Sequence, residues 1–538
     1  MFQYFSNIAL IIIILLIGIS IYKVIRRKDN QVENKFLDFI NKHYKIILLV
    51  IGGGFIFTRV FLLTCIPNTI HIDEASIAYN AYSIATYGVD RYTNIFPIYF
   101  LNFQYGQSAM YTYLVALLIK IFGYSLMAVR IPAVIFGFIT LIFGYLLGKE
   151  LKGKSFGLLV ATLITICPFF IVSERFALDC YAGLGLFSAS IYTLVKAIKT
   201  SKAKLYICSG LLFGLTLYAY ALAYIIIPVV LLLILIYLIY LKKITLKNFI
   251  CFCIPLFILA TPLVVHVLVQ QGVIGEIRTR YFSILQMSSD RVSEIALSNI
   301  LDNIPHLLNF FLYDPINSSK SIFGTLYYFS IPLVLVGMII TFYNGFKNIK
   351  NKEFNLFTLF SLVFLGTLFS ILLNNNSTTV IWRGNMMYVL FAIFIALGIY
   401  FIVSKIKVAS LIIFTIYLLA FGYYNYYYFN VYPNELYNNS DPMTDYMEAL
   451  EDADKKDKDI YAISFEITQW THLWAALALK TSPYAYQEYG THFDNIYFTI
   501  PDKFDDDDIY IVLKEQASDL KKEDFTCRKF GKVYECYK

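Results

Sequence analysis

Apolar runs of about twenty residues recur along most of this chain, and they constrain its fold more than any other feature. Each run is long enough to cross the hydrocarbon core of a bilayer, which is roughly 30 Å thick. A segment in lipid must satisfy its own backbone hydrogen bonds, so these runs are predicted to be helices. Of the 538 residues, 58% are hydrophobic and 15% are charged. We therefore predict an all-α polytopic membrane protein.

The apolar runs predict about twelve membrane spans. The lysine-rich short loops between them all fall on the cytoplasmic side if the N-terminus is outside, which satisfies the positive-inside rule. The lysine-rich loops all stay on the cytoplasmic side only if the apolar segment 108–123 does not cross the membrane. We therefore interpret this segment as a helix in the outer interface. The predicted spans are 4–24, 45–66, 131–149, 156–173, 180–197, 204–221, 222–241, 248–269, 325–345, 354–373, 385–404 and 408–427.

Three domains follow from this topology. Residues 1–44 form an extra N-terminal transmembrane anchor and a cytoplasmic linker. Residues 45–429 form the main transmembrane module, whose large outer loops are 67–130 and 270–324. Residues 430–538 are more polar and form a small extracytoplasmic α/β domain. The net charge of +7 does not indicate nucleic-acid binding, because the lysines lie in the short loops.

The polar tail contains its own secondary-structure signals. The segment from Asp441 predicts an amphipathic helix followed by a strand, DDDDIYIVLKE predicts another strand, and FTCRKFGKVYECYK predicts a closing hairpin. A disulfide between Cys527 and Cys536 stays open, since it depends on an oxidising compartment. The run Asp505 to Asp508 favours a solvated loop over a calcium site, because it lacks spaced carbonyl ligands.

The first candidate for chemistry is the carboxylate pair Asp73 and Glu74, which follows the outer end of a predicted span. Alone, the pair is typical of a helix start, with Asp73 as the cap and Glu74 favouring the first turn. Other ionisable groups are predicted at the same depth, however. Ionisable side chains at the membrane are costly and are candidates for function.

These other groups come from several predicted spans and outer loops. Arg175 and Asp179 are four residues apart and could pair on one helical face. Arginine suits recognition of phosphate. The further candidates at this membrane face are Glu174, Tyr220, Arg278, Arg280, Arg291 and Arg383.

Four motifs occur in an order that resembles a known family. They are DEASIAYNAYSIATYGVDRYTNIFPIYF, FGYSLMAVRIPAVIFG, CPFFIVSERFALDCYAGLGLF and LYAYALAYIIIP. Together they resemble the N-terminal half of bacterial protein O-mannosyltransferase-like proteins, which belong with the lipid A aminoarabinose transferases to the GT-C class of membrane glycosyltransferases. The resemblance covers roughly residues 45–235.

The resemblance implies a polyprenyl-phosphate-linked sugar donor, an extracytoplasmic acceptor and inversion at the anomeric carbon. It implies a bacterial cytoplasmic membrane protein with the active site and the C-terminal domain on the outer face. By analogy, Asp73 is the general base and Glu74 holds the acceptor, while Arg383, with Arg278 or Arg280, stabilises the donor phosphate. The sugar and acceptor pocket is assigned to Arg175, Asp179, Glu174, Asp90, Tyr99 and Tyr220.

Two departures from the family pattern concern acceptor choice and metal use. Asp90 is followed by Arg91, where many relatives carry an acidic residue. Gly106, Gln107 and Ser108 stand where many relatives have a Lys-Pro-Pro run. No cofactor is assigned, and a requirement for a divalent cation stays open. The Trp-Trp-Asp-Tyr-Gly motif of oligosaccharyltransferases is absent, which argues against transfer of an oligosaccharide to asparagine.

Three alternatives remain at this point. A transporter or flippase of lipid-linked or small solutes would have a similar number of spans, but transporters tend to place ionisable groups near the bilayer midplane, often with repeat symmetry. A lipid-linked glycan ligase or polymerase would share the large outer loop and its carboxylates. A non-catalytic scaffold would display the tail domain without needing the charges at the outer face.

Overall fold

The computed structural model describes residues 2–26, 40–102, 105–287, 294–314, 320–349, 351–375, 378, 380–439, 442–463, 471–486 and 492–538. Arg291 and part of the predicted cytoplasmic linker lie outside these residues.

Within this part of the chain, a helix coincides with each of the twelve predicted spans. Two further helices, α3 and α4, lie in the predicted outer loop 67–130, and α7 is a single short turn. In chain order, the helices are α1 Phe2–Ile25, α2 Tyr44–Val60, α3 Ile72–Tyr87, α4 Ala109–Phe122, α5 Leu126–Lys152, α6 Lys154–Ile166, α7 Pro168–Ser173, α8 Asp179–Thr200, α9 Ala203–Leu217, α10 Ala223–Tyr240, α11 Leu246–Gln270, α12 Ile331–Ile349, α13 Leu356–Leu372, α14 Tyr388–Val403 and α15 Ala409–Asn430.

By length and composition, eight helices of the described chain can cross a membrane: α1, α5, α8, α10, α11, α15, and α12 and α14 with the turns that precede them. The helices α4, α6, α9 and α13 are apolar but shorter. The prediction of a multi-pass helical membrane protein is confirmed. Short helical turns occupy Asn299–Asn303, Ile304–His306, Asn309–Leu312, Tyr328–Ser330 and Ile381–Met387.

The predicted span 156–173 is interrupted. Cys167 is extended, with φ −78° and ψ 141°, and Pro168 starts the short helix α7. A residue before proline is disfavoured in the helical region, and proline cannot donate the backbone hydrogen bond that would continue the helix. The first helix therefore ends at Ile166, and α7 starts at Pro168. A non-helical segment then connects Ser173, the last residue of α7, to Asp179, where α8 begins.

The two large loops that were predicted to be outer contact each other. Strands β1 Tyr99–Asn102 and β2 Tyr105–Ser108 form an antiparallel hairpin between α3 and α4. In the second loop, β3 Ile277–Arg278 pairs with β4 Ser283–Ile284. The N–H of Ile98 donates to the carbonyl of Ser283 at 3.1 Å, which joins the two loops.

Basic residues gather at the opposite end of the bundle. Lys23 at the end of α1 donates to the carbonyl of Lys405, at 2.9 Å. Lys196 and Lys199 of α8 both bind Glu150 of α5, at 2.9 and 2.7 Å. These contacts join the end of α1 to the loop before α15, and the end of α5 to the end of α8, all within the set of loops that were predicted to share one membrane side.

The C-terminal region is a small α/β domain, as predicted. Its helices are α16 Tyr432–Asn439, α17 Met443–Ala453, α18 Thr471–Leu479 and α19 Lys514–Lys522. Its strands, in the sheet order β6-β7-β5-β8-β10-β9, form a six-stranded mixed sheet. They are β5 Ile460–Ala462, β6 His492–Phe493, β7 Ile496–Tyr497, β8 Ile509–Leu513, β9 Thr526–Phe530 and β10 Val533–Tyr537. Cys527 and Cys536 face each other across β9 and β10 and form a disulfide.

This domain packs directly on α3. The hydroxyls of Tyr79 and Tyr82 donate to the carbonyls of Thr481 and Lys480, at 3.0 and 3.2 Å. The aromatic ring of Tyr79 also contacts that of Tyr486. The tail therefore holds the helix on which the carboxylate pair lies.

Candidate active site

Asp73 lies in the first turn of α3, and its carboxylate reaches the β1–β2 hairpin. The cap of α3 is His71, whose Nδ1 accepts the N–H of Asp73 at 3.2 Å. The interpretation of Asp73 as the helix cap is therefore wrong. Its Oδ1 instead accepts the Asn102 amide at 3.1 Å, and its side chain is 36% exposed. The carboxylate of Asp73 is thus available to a ligand.

Asp73 borders a cavity of about 230 Å³. Four other predicted site residues share its wall: Tyr99, Asp179, Tyr220 and Arg383. They come from the β1–β2 hairpin, the start of α8, the break between α9 and α10, and the turn before α14. Residues that are up to 310 positions apart in sequence therefore meet at one end of the bundle.

Glu74 points the other way, into the protein. Its carboxylate binds Arg130 of α5 through two contacts, from Nε at 2.8 Å and from Nη2 at 2.9 Å. Both side chains are completely buried. Arg130 also donates to the carbonyls of Leu63, Pro67 and Thr69. The structure thus does not bring Glu74 to the cavity, but makes it an anchor between α3, α5 and the chain that follows α2.

Glu174 and Arg175 are also buried in the frame of the site. Glu174 binds Arg59 of α2 at 2.7 Å. Arg175 donates to the carbonyls of Thr58, Leu62 and Ile66. Arg175 therefore connects the end of α7 to the end of α2. The four-residue spacing had instead suggested that it pairs with Asp179. The reason is the break after α7: the two residues do not share one helix.

Asp179 is held where it faces the cavity. Its Oδ2 accepts the N–H of Ser108 at 3.0 Å, and its Oδ1 accepts that of Cys180 at 2.8 Å. The first bond links the start of α8 to the end of β2. Asp179 thus fixes the hairpin against the bundle and presents a second carboxylate to the cavity wall.

Asp90 closes a tight turn and does not line the cavity. It is fully buried and accepts the N–H groups of Tyr92 and Asn94, at 2.9 and 2.8 Å. Burial raises the pKa of Asp90 above its ordinary value, and these hydrogen bonds oppose that shift. Its predicted place in the sugar pocket is not supported by this position.

The tyrosines of the cavity are held by close packing. The ring of Tyr99 lies 4.8 Å from that of His266 on α11. Gly106 of β2 lies beneath Tyr99, and a Cβ there would clash with the Tyr99 ring. Only glycine allows this approach of strand to ring. Tyr220 completes the opposite wall from the break between α9 and α10.

The three arginines predicted to bind the donor phosphate do not lie together. Arg383 lines the cavity and is 15% exposed. It donates through Nη1 to Glu294 at 3.1 Å and to Asn374 at 2.6 Å. Arg278 is 60% exposed and donates to Asn94, which joins the two outer loops. Arg280 is exposed and stacks on Tyr281. Of the three, the structure places Arg383 in the wall of the cavity.

Four side chains in the cavity wall were not among the predicted site residues: Asn102, Gln107, Cys180 and Trp382. Amides and aromatic rings are the usual polar and apolar lining of a ligand site. Asn102 and Gln107 lie on the hairpin between two apolar helices. Their polarity in that setting was the available signal, and Trp382 was next to Arg383 in the predicted loop.

Within the described part of the chain, no three His, Cys, Asp or Glu side chains gather closely enough to hold a metal ion. Asp73 and Asp179 of the cavity wall already accept hydrogen bonds from Asn102 and from the backbone. In the tail, the Asp505 carboxylate accepts the N–H of Asp507 at 3.0 Å, as in an ordinary turn.

Comparison with known proteins supports the same architecture. Residues 107–268 match the family model of the dolichyl-phosphate-mannose-protein mannosyltransferases. Comparison with curated protein sequences gives no significant match. The family model covers the segment from the end of β1–β2 to α11, which contains Asp179 and Tyr220. It confirms the resemblance to this class of glycosyltransferases in that segment.

Solved structures with a similar fold include ArnT from Cupriavidus metallidurans. The complex of ArnT with undecaprenyl phosphate is 9% identical in sequence and gives a TM-score of 0.52, covering 92% of this chain and 97% of ArnT. The apo state of ArnT is 7% identical, with a TM-score of 0.53 and coverage of 92% and 98%. The GT-C fold predicted for the chain, with its small C-terminal α/β domain, is confirmed.

The oligosaccharyltransferase of Archaeoglobus fulgidus in its apo form is also similar, at 13% identity and a TM-score of 0.46. That match covers 80% of this chain but spans only 63% of the archaeal protein.

Proposed function

We propose that the protein is a GT-C membrane glycosyltransferase that moves one sugar from a polyprenyl-phosphate donor to an extracytoplasmic acceptor, with inversion at the anomeric carbon. The observation that carries this proposal is the single cavity that Asp73 and Arg383 share. Asp73 offers a general base, and Arg383 offers a positive charge that can bind the donor phosphate. The family model of residues 107–268 supports a lipid-phosphate sugar as donor. The complex of ArnT with undecaprenyl phosphate points to the same donor class.

The transfer needs one proton acceptor, and we assign this role to Asp73, since its partly exposed carboxylate borders the cavity. Asp73 takes the proton of an acceptor hydroxyl while that oxygen forms a bond to the anomeric carbon. The bond from that carbon to the phosphate oxygen breaks, and its electron pair leaves on the lipid phosphate. General-base help of this kind contributes roughly 10²–10⁴ in rate. A phosphate is a stable anion, so its departure needs charge stabilisation more than a proton.

Arg383 supplies that stabilisation. Among the described residues, its hydrogen bonds all use Nη1. Nε and Nη2 are left to bind two phosphate oxygens, which is the bidentate geometry that arginine offers. Glu294 and Asn374 fix the guanidinium from behind. Such preorganised charge is most effective where negative charge develops. Arg278 and Arg280, which lie outside the cavity wall, have no place in this step.

The remaining cavity wall suits one sugar ring. Tyr99, Tyr220 and Trp382 offer aromatic surface, and the Asn102 and Gln107 amides offer hydrogen-bonding groups. The volume of about 230 Å³ lies below the roughly 300 Å³ at which pockets for drug-sized ligands begin. This size supports a single hexosyl or pentosyl unit over an oligosaccharide.

The charges at the two ends of the bundle support one orientation in the membrane. Basic loops gather at the end away from the cavity, as the positive-inside rule expects of a cytoplasmic face. The disulfide of Cys527 and Cys536 belongs to the domain at the cavity end and suits an oxidising compartment. Both observations support an active site and a C-terminal domain on the outer face of a bacterial cytoplasmic membrane.

The test is a transfer assay in proteoliposomes. Purified protein is incubated with undecaprenyl-phosphate hexoses and pentoses that carry a radiolabelled sugar, and with envelope material as acceptor. We expect label to leave the lipid-soluble donor and free undecaprenyl phosphate to form. The Asp73→Asn variant should lose at least about 100-fold in turnover. Near wild-type turnover in a folded variant would remove Asp73 from the role of base.

The same preparation distinguishes a flippase from a transferase. A flippase would move the donor between leaflets and leave the sugar on its lipid. The proposed reaction would therefore be refuted if the radiolabelled sugar moved between leaflets but stayed attached to its lipid donor.

A further inference from the structure

We propose that Asn102 is a positioning residue for Asp73, and that Arg91 and Ser76 set the orientation of its amide. This inference rests on the proposed role of Asp73 as base and extends it to three buried residues. Asn102 lies at the end of β1, is 6% exposed and borders the cavity. Its Nδ2 donates to the Asp73 Oδ1 at 3.1 Å, which ties the carboxylate to the hairpin.

Two donors hold the other side of the Asn102 amide. The Ser76 hydroxyl, one helical turn along α3, donates to Asn102 Oδ1 at 2.7 Å. Arg91 Nη2 donates to the same oxygen at 3.3 Å. Arg91 Nη1 donates to the Ser76 oxygen at 3.0 Å, so the three side chains form one connected network. All three are buried.

The chemistry of these groups allows a single amide orientation. A guanidinium can only donate hydrogen bonds, and an ionised carboxylate can only accept them. If the Asn102 amide were turned over, its NH₂ would face Arg91 and its oxygen would face Asp73. Both contacts would then be repulsive. Arg91 therefore fixes the direction in which Asn102 donates, although it does not itself touch the carboxylate.

The network depends on a basic residue at position 91. An acidic residue there could not donate to Asn102, and it would add a negative charge behind the base. The positive charge of Arg91 instead polarises Ser76 and Asn102 toward Asp73. Hydrogen bonds that reach the charged form of a carboxylate favour that form. The network therefore holds the Asp73 carboxylate against the hairpin with one face open to the cavity.

Other charged or titratable groups around Asp73 stay unchanged in the test that follows. His71 lies 3.7 Å from Asp73 Oδ2 on the same helix. Asp179 of α8 and Arg383 before α14 face it across the cavity, as do Tyr99 and Tyr220. Since none of them is altered, a changed response of Asp73 can be assigned to the amide.

The test follows protonation of Asp73 without using turnover. A carbodiimide reacts with protonated carboxyl groups, so its labelling of Asp73 across a pH series is read by peptide mass spectrometry in the purified full chain. In Asn102→Ala, we expect half-maximal labelling at a higher pH than in the wild type, because a hydrogen bond to the charged form is lost. Asp519, exposed in the tail, is the internal reference and should not move.

Ser76→Ala and Ser83→Ala form a matched pair on α3, since both remove a buried hydroxyl. Ser76→Ala should move the half-labelling pH upward by less than Asn102→Ala, because Arg91 still holds the amide. Ser83→Ala should leave it at the wild-type value. If Asn102→Ala does not fold, equal values for the two serine variants overturn the proposal.

Kinetics give the second readout. With the undecaprenyl-phosphate sugar that the wild type uses fastest, the acid limb of kcat/KM should move upward in Asn102→Ala together with the labelling. A folded Asn102→Ala variant with an unmoved limb and unmoved labelling overturns the role of Asn102. Asp73→Asn with full turnover would instead overturn the proposed function, so the two failures are distinguishable.

Discussion

Replacing Glu74 with glutamine tests whether this residue holds the acceptor or holds the protein together. The resemblance to the family assigned it to the acceptor, whereas the structure buries it against Arg130. The two side chains share contacts of 2.8 and 2.9 Å and are both 0% exposed. Glutamine keeps the shape of glutamate but removes the charge that compensates Arg130.

The expected loss of folding stability in Glu74→Gln follows from the burial of the ion pair. Removing one partner of a buried ion pair leaves an uncompensated charge and costs about 3–5 kcal/mol. For a chain of 538 residues, this corresponds to a fall of about 3–4 °C in the melting temperature, from the usual entropy of unfolding per residue. Arg130 retains its bonds to backbone carbonyls, which places the expected fall toward the lower value.

Glu150→Gln is the matched control. Glu150 also makes two short contacts, with Lys196 and Lys199, but its side chain is 19% exposed and the lysines are 35% exposed. Solvent screens such a pair, so its loss should cost no more than about 1 kcal/mol. The double variant Glu74→Leu with Arg130→Met removes both buried charges but also takes the donor from the carbonyls of Leu63, Pro67 and Thr69. It should therefore recover only part of the lost stability.

The assay is thermal unfolding of purified protein in detergent, followed by intrinsic fluorescence, alongside kinetics of any transfer. We expect Glu74→Gln to melt clearly below both the wild type and Glu150→Gln. A Glu74→Gln protein that melts within 1 °C of the wild type (a shift of roughly 1 kcal/mol) and shows only a raised KM for acceptor would refute this reasoning. The assignment from the family resemblance would then be the right one.

Three further outcomes are expected. Arg383→Lys keeps the charge but loses the second phosphate contact, so binding of undecaprenyl phosphate, measured by native mass spectrometry, should weaken about 10-fold, and equal binding would contradict the bidentate role. Asp90→Asn should stay close to the wild type, whereas Asp90→Ala frees two backbone N–H groups and should cost about 1–3 kcal/mol in a thermal melt, with unchanged KM for sugar donor. Replacing Cys527 and Cys536 together by alanine should lower the stability of the tail domain by up to about 2.5 kcal/mol. That loss is measured as faster limited proteolysis than in the wild type, and resistance equal to the wild type would count against a stabilising disulfide.

The transmembrane framework was predictable because hydrophobicity is a local property. A span needs enough consecutive apolar residues, and the lysines beside it report its direction. The tail was predictable for a similar reason, since amphipathic periods identify strands and helices one segment at a time. The bend at Pro168 was the exception inside a span, where a single residue outweighs a continuous apolar run.

The roles of neighbouring side chains were not predictable in the same way. Asp73 and Glu74 are adjacent, and adjacent residues of a helix point about 100° apart. Which of them meets the cavity depends on the position of α5, where Arg130 attracts Glu74. Arg175 and Asp179 had the spacing of a helical pair, but the chain leaves the helix between them.

By itself, the sequence determined a helical membrane protein, a polar tail domain and a set of polar residues at one predicted face. The tertiary structure decided which of them share a cavity: Asp73, Asp179 and Arg383 do, whereas Glu74 and Glu174 become buried partners of arginines. The physical reason is that a buried charge must be paired, and its partner comes from a distant helix whose placement no local pattern encodes.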